Sequence, residues 1–227
     1  MQMMKSTFLA LALTVPAIVS QTAMAAPASP QQATDNLVRQ LNGIQNMTAN
    51  FQQTSRLTSG RTARPNNNRT AQHLNQTFSG VMNVARPGKF YWETRAPAKQ
   101  IIATTGRTVW IYDPDLQQAV KQTLDAQVAN TPALLLSGNA QQIMRSYNIS
   151  QPDASKTYYT LTPKSKDAAF ERLWLSFGGN NTPTLMILED ATGQTTTIRF
   201  SNVRLNSNFN QNVFNFTPPK GTDIIEQ

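Results

Sequence analysis

The hydrophobic pattern opens with an apolar run over residues 8–19, interrupted only by Thr14 and Pro16. Lys5 precedes it and Ala23-Met24-Ala25 follows it. A positive start, a short apolar segment and a small-x-small end read as a secretory leader cut after Ala25. The run is too short for a membrane-spanning helix, which takes about 20 apolar residues, and Pro16 sits inside it. The expectation is therefore a signal peptide over 1–25 and an exported, unanchored chain over 26–227. The latter is about 200 residues, which suits a single domain.

After the leader, Ser29-Pro30 reads as an N-cap and first helical residue, and Ala33, Leu37, Val38, Leu41 and Ile44 recur at helical spacing, with Gly43 as C-cap. From Met47 the period changes to two: Met47, Ala49 and Phe51 alternate with polar residues into Gln53, which predicts a strand. Residues 55–75 keep neither period, are rich in turn formers and carry Arg56, Arg61, Arg64 and Arg69. They predict a long polar loop. Phe78, Gly80, Met82 and Val84 then alternate up to a turn at Arg86-Pro87-Gly88-Lys89, and Phe90, Trp92 and Thr94 continue on one face, predicting a hairpin.

Segments 99–103, 108–112 and 116–122, separated by Thr105-Gly106 and Asp113-Pro114-Asp115, extend the meander. Asn130 or Thr131 before Pro132, then Ala133-Leu134-Leu135-Leu136 and Gly138, predicts a short capped helix; Asn139 caps another through Ile143, Met144 and Tyr147. Strands resume over 158–162, 170–177, 184–189, 195–205 and 213–216. About a dozen strands, with helices only near the start and middle, predict a mainly β (α+β) domain. Its one large, strongly curved antiparallel sheet would enclose an apolar cavity, with the helices as a lid.

Composition narrows the chemistry. The chain has no cysteine, which excludes disulfides, thiol nucleophiles and thiolate metal sites. Its net charge of +8 favours anionic partners or an anionic leaflet, yet only 14% of residues are charged, too dilute for a typical nucleic-acid binder. The single histidine, His73, falls in the polar loop, and Glu93, Asp113, Asp115 and Asp125 read as turn acceptors or solvated strand residues. With no H-E-x-x-H, G-x-S-x-G or glycine-rich phosphate loop, the sequence predicts neither an enzyme nor a cofactor or metal site.

Four groups of residues stand in order along the chain: Arg86-Pro87-x-x-Phe90-x-Trp92; Trp110-Ile111-Tyr112; Thr131-Pro132 with Leu134-Leu135; and Phe214-Asn215-Phe216-Thr217-Pro218-Pro219-Lys220-Gly221. Together they resemble the periplasmic outer-membrane lipoprotein carrier family, LolA. The resemblance implies an incomplete antiparallel barrel closed by short helices, working in the periplasm as a monomer. It implies acylated lipoproteins as cargo, an inner-membrane ABC lipoprotein exporter as donor and a LolB-like outer-membrane acceptor as recipient, with no nucleic acid involved. It gives Arg86 the role of a latch that hydrogen-bonds lid carbonyls in the empty form, the plain alternative being a solvated turn arginine. Phe90 would sit at the rim that partners meet. Trp92 and Trp110 become candidates for the cavity wall, and Met82, Ile102, Leu134, Leu135, Ile143 and Met144 further lining candidates, each of which would serve equally as ordinary core.

Two features depart from that family: the polar loop 55–75 is longer than its usual connection, and Gly88-Lys89 puts a flexible, positive pair beside the rim. A lipid-anchored acceptor of the same fold needs a cysteine at its cleavage site, which this chain lacks. A periplasmic regulatory or scaffold module of the same fold, binding proteins without lipid, is the remaining alternative; it predicts a filled interior.

Overall fold

The computed structural model describes residues 25–57, 76–105, 107–123, 135–166, 168 and 170–227. The leader up to residue 24, the polar loop from residue 58 with His73, Asp125, and the Thr131-Pro132-Leu134 segment lie outside the described residues.

Helix α1 (Pro30–Asn42) starts where a capping box predicts it. The Ser29 hydroxyl accepts the Gln32 amide at 3.3 Å, and the Gln32 side chain accepts the Ser29 amide at 3.0 Å. Its apolar stripe of Ala33, Leu37 and Leu41 is fully buried. The strands follow as β1 (Asn46–Leu57), β2 (Thr77–Ala85), β3 (Lys89–Ala96), β4 (Gln100–Thr105), β5 (Thr108–Asp113) and β6 (Gln118–Thr123). After α2 (Ala140–Ser146) come β7 (Tyr147–Ser150), β8 (Tyr158–Pro163), β9 (Arg172–Phe177), β10 (Pro183–Glu189), β11 (Gln194–Leu205) and β12 (Asp223–Glu226).

The twelve strands of the described residues form one sheet in the order β12-β6-β5-β4-β3-β2-β1-β11-β10-β9-β8-β7. Most neighbours in space are neighbours in sequence, because short turns can join only antiparallel strands. Two long-range pairings complete it, β1 with β11 and β6 with β12. Strands β7 and β12 are left as edges, so the sheet is an open barrel, as expected.

The structure corrects the reading in four places. Strand β1 continues through Leu57, into the stretch expected to be loop, because it is paired on both sides, by β2 and β11. Tyr147 is only the C-cap of α2, its amide donating to the Ile143 carbonyl, and already opens β7. The expected strand at 213–216 is instead a 3-10 turn, Gln211–Phe214. Strand β12 was not foreseen, and it pairs with β6 in parallel rather than antiparallel fashion.

Part of the concave face is filled by helices. Leu37, Leu41 and Ile143 join Phe51, Tyr159, Leu161 and Leu175 in one buried cluster. On the convex face the chain after β11 lies against β3 and β4, with Phe214 buried and Phe216 at 5.8 Å from Tyr112. That cover explains why the outward-facing Ala103 and Tyr112 are also buried.

Candidate functional site

Side chains alternate between faces along a strand, so the registers define the inner wall. Val120, Ile111, Ile102, Trp92, Met82 and Ala49 are consecutive cross-strand partners from β6 to β1. On the far side the same face continues through Ile198, Met186 and Leu175.

Between the filled half and β6 lies a cavity of about 630 Å³. Its wall takes side chains from eight adjacent strands, running from Gln122 on β6, through Ile111, Ile102, Trp92 and Phe78, to Leu188 on β10. A flat sheet cannot bring the first and last of these to one space; the sheet is wrapped around it. The volume lies in the range of small-molecule sites, about 300–1,000 Å³. Trp92 is fixed by stacking on Phe51, with ring centroids 3.7 Å apart, and by Phe90 at 6.2 Å.

Arg86 occupies the turn between β2 and β3. It is half-buried, and its Nη1 donates to the carbonyl of Gly138, just before α2. The same turn is stitched to that segment by the Gly88 amide, which donates to the Ser137 carbonyl at 2.9 Å. Among the described residues Nε and Nη2 of Arg86 have no partner although both are buried. Burial pushes the guanidinium down to about 10. On the other side of the turn, Thr104 bonds both Gly88 and Phe90. Asn139 caps α2 by accepting the Gln141 amide at 2.8 Å.

Of the residues expected at the site, Trp92, Ile102 and Phe90 line the cavity. Phe90 is only 1% exposed, so it belongs to the wall and not to an open rim. Trp110 is a correction. Its neighbours Val109 and Ile111 face the cavity, and strand alternation puts Trp110 on the outer face, where Lys121 Nζ lies 6.0 Å from its ring centroid. Met82 shares the inner face but is packed in the core beside the cavity, as are Leu135 and Ile143. Met144 is half-buried on α2, away from the cavity, and its carbonyl accepts a hydrogen bond from Lys164. Leu134 lies outside the described residues. Sequence reading missed Phe78, Val109, Ile111, Leu188 and Ile198 in the wall. Strand parity pointed to the first three, since Phe78 shares its strand face with Met82, and Val109 and Ile111 flank Trp110.

An open antiparallel barrel curved around a largely apolar cavity, with a basic turn hydrogen-bonded to the segment that leads into α2, defines a β-barrel carrier of apolar ligands. The chain belongs to the family described as outer membrane lipoprotein carrier protein LolA, which matches residues 42–217. It is 36% identical to an outer-membrane lipoprotein carrier protein of Alcanivorax borkumensis, over 99% of each chain. It is 38% identical to a protein of the same description from Hahella chejuensis, covering 93% of this chain and 95% of the relative. A solved structure of an uncharacterized conserved protein from Thermus thermophilus superposes with a TM-score of 0.51 at 12% identity, over 88% of this chain and 100% of the other, and shares the fold.

Proposed function

We propose that this chain is a periplasmic carrier that takes acylated lipoproteins from an inner-membrane ABC exporter and delivers them to a LolB-like outer-membrane acceptor, sheltering their acyl chains on the way. The observation that carries the reading is the cavity of about 630 Å³ walled by Phe78, Phe90, Trp92, Ile102 and Ile111, in a member of the lipoprotein carrier family. Each buried CH₂ is worth about 0.8 kcal/mol, so freeing an acyl chain of about 16 carbons into water costs on the order of 10 kcal/mol. A protein that passes such a chain from cavity to cavity removes that barrier. The task is binding and release, with no bond made or broken.

Arg86 serves as the latch of the empty form. Its bond to Gly138 ties the segment leading into α2 to the β2–β3 turn of the barrel. A half-buried guanidinium with two nitrogens unpartnered among the described residues is a weak clasp, because desolvation opposes the hydrogen bond it makes. Closure is thus favourable by a small margin, which an entering acyl chain can exceed. No described helix is long and apolar enough to cross a membrane.

Depleting the protein in its host should leave outer-membrane lipoproteins at the inner membrane, and protein purified from the periplasm should carry acyl species in native mass spectrometry. Normal lipoprotein sorting in depleted cells would overturn the proposal.

A further inference from the structure

The cavity wall is not uniformly apolar. Among its lining side chains are several that can hydrogen-bond, and most are already occupied within the protein. Asp113 Oδ1 accepts the amides of Asp115 and Leu116, at 2.9 and 3.0 Å. Gln122 donates to Gln227 at 2.7 Å, and Thr196 pairs with the Ser55 hydroxyl at 2.9 Å. Gln53, Thr94 and Gln100 differ: among the described residues, none has a side-chain hydrogen-bond partner. Thr94 is only 8% exposed, and it lines the cavity, where a ligand or water can meet its hydroxyl.

All three line the same cavity. Thr94 and Gln100 are direct cross-strand partners on β3 and β4. Gln53 lies two residues beyond Phe51 on the inner face of β1, with Phe78 as its partner on β2, and reaches the same cavity. They occupy the end of the cavity away from the Arg86 turn, two residues beyond Trp92 along β3, with exposed Lys99 at the adjoining rim. The other end is closed by Phe90 and Val109. Gln122, the cross-strand partner of Val109, is polar too, but its amide is engaged with Gln227, so the unengaged donors are those at the Thr94 end.

We propose that Gln53, Thr94 and Gln100 form a subsite for the ester carbonyls of a diacylglyceryl group, so that a bound lipid lies with its ester end there and its acyl chains running toward Phe90 and Val109. The proposal rests on the carrier reading and adds an orientation to it. The amide groups of the two glutamines and the threonine hydroxyl supply the donors that ester carbonyls accept. The same ester chemistry occurs in the diacylglyceryl-cysteine of a lipoprotein and in a phospholipid; only the second carries a phosphate, for which Lys99 in the cavity lining is the candidate cation.

The test compares a synthetic S-(dipalmitoylglyceryl)cysteinyl peptide with its dihexadecyl ether counterpart, which has the same chains and no carbonyls, and with short-chain phosphatidylglycerol. Wild type should bind the ester about tenfold more tightly than the ether. Thr94→Val with Gln100→Leu should remove that difference by weakening the ester alone, and Gln100→Leu, at a half-buried position, should remove part of it if the double variant folds poorly. Equal affinity of wild type for ester and ether, or an equal loss for both in the variants, overturns the subsite while leaving the carrier reading in place. Failure of wild type to bind either lipid overturns both. Ester-dependent binding of phosphatidylglycerol that weakens in Lys99→Gln identifies phospholipid as the source of the ester; its absence identifies the lipopeptide.

Discussion

Thr104 holds Gly88 in place: its hydroxyl donates to the Gly88 carbonyl at 2.8 Å while accepting the Phe90 amide at 2.8 Å, and the side chain is only 1% exposed. The turn that carries Arg86 is thereby anchored from β4, across the sheet. Thr104→Val keeps the shape of the side chain and removes both bonds, leaving a buried amide and a carbonyl without partners. Urea unfolding should show a loss of about 1–3 kcal/mol, together with faster amide exchange at Gly88. An unchanged midpoint would mean that the turn is held by its bond to Ser137 alone.

Arg86 offers a prediction of opposite sign. Burial places its folded-state pKa at about 10, below the ordinary 12.5. Between these values the unfolded chain binds more protons than the folded one, so the arginine's contribution to stability rises with pH across that window and is a penalty at neutral pH. Arg86→Leu should therefore hold or raise the melting temperature at pH 7. Amide exchange over residues 138–146 should quicken, because Gly138 loses its donor, and hand-over to the acceptor should be impaired. A fall of several degrees in melting temperature would make Arg86 a net structural support rather than a latch.

Gly80 is required by space. A Cβ there would stand 1.8 Å from the Glu93 carbonyl oxygen and 2.9 Å from a ring carbon of Phe51, and the first of these is backbone that cannot swing aside. Gly80→Ala should cost about 3 kcal/mol or more by overpacking. Gly179→Ala, where no atom lies within 4 Å of the new methyl, should stay within about 0.5 kcal/mol. Comparable unfolding midpoints for the two variants would contradict the close approach of β2 and β3.

The hairpin over β2 and β3 could be read from the chain, because alternation and a Pro-Gly turn are local signals and its register follows from them. The pairing of β1 with β11 could not, since it joins residues far apart in sequence and leaves no local trace. Strand β12 has four residues, too few for a period to emerge. At the site, Arg86, Trp92 and Ile102 came from the motif and the inner parity. Trp110 was chosen for its aromatic ring, and one position of parity placed it outside. Thr94 shares the face of Phe90 and Trp92, but only the folded sheet brings it to the cavity that Gln53 and Gln100 also line. Hydrophobic patterning assigns polar residues to solvent and so has no signal for a polar station inside.

The contrast between Ile111 and Trp110 puts the wall itself to the test. Ile111 lines the cavity, whereas Trp110 lies on the outer face under Lys121. Ile111→Asp introduces a charge into an apolar wall, where ionisation and the loss of hydrocarbon contact both oppose an acyl chain. Affinity for a fluorescent acyl probe should fall at least about tenfold, since each 1.4 kcal/mol is a factor of ten, while Trp110→Ala should bind the probe within about twofold of wild type, a difference under about 0.5 kcal/mol. Thermal melts would show that both variants are folded at the assay temperature. If Trp110→Ala released the probe and Ile111→Asp retained it, the inner face would be the other one, and the cavity between Gln122 and Leu188 could not be the acyl site.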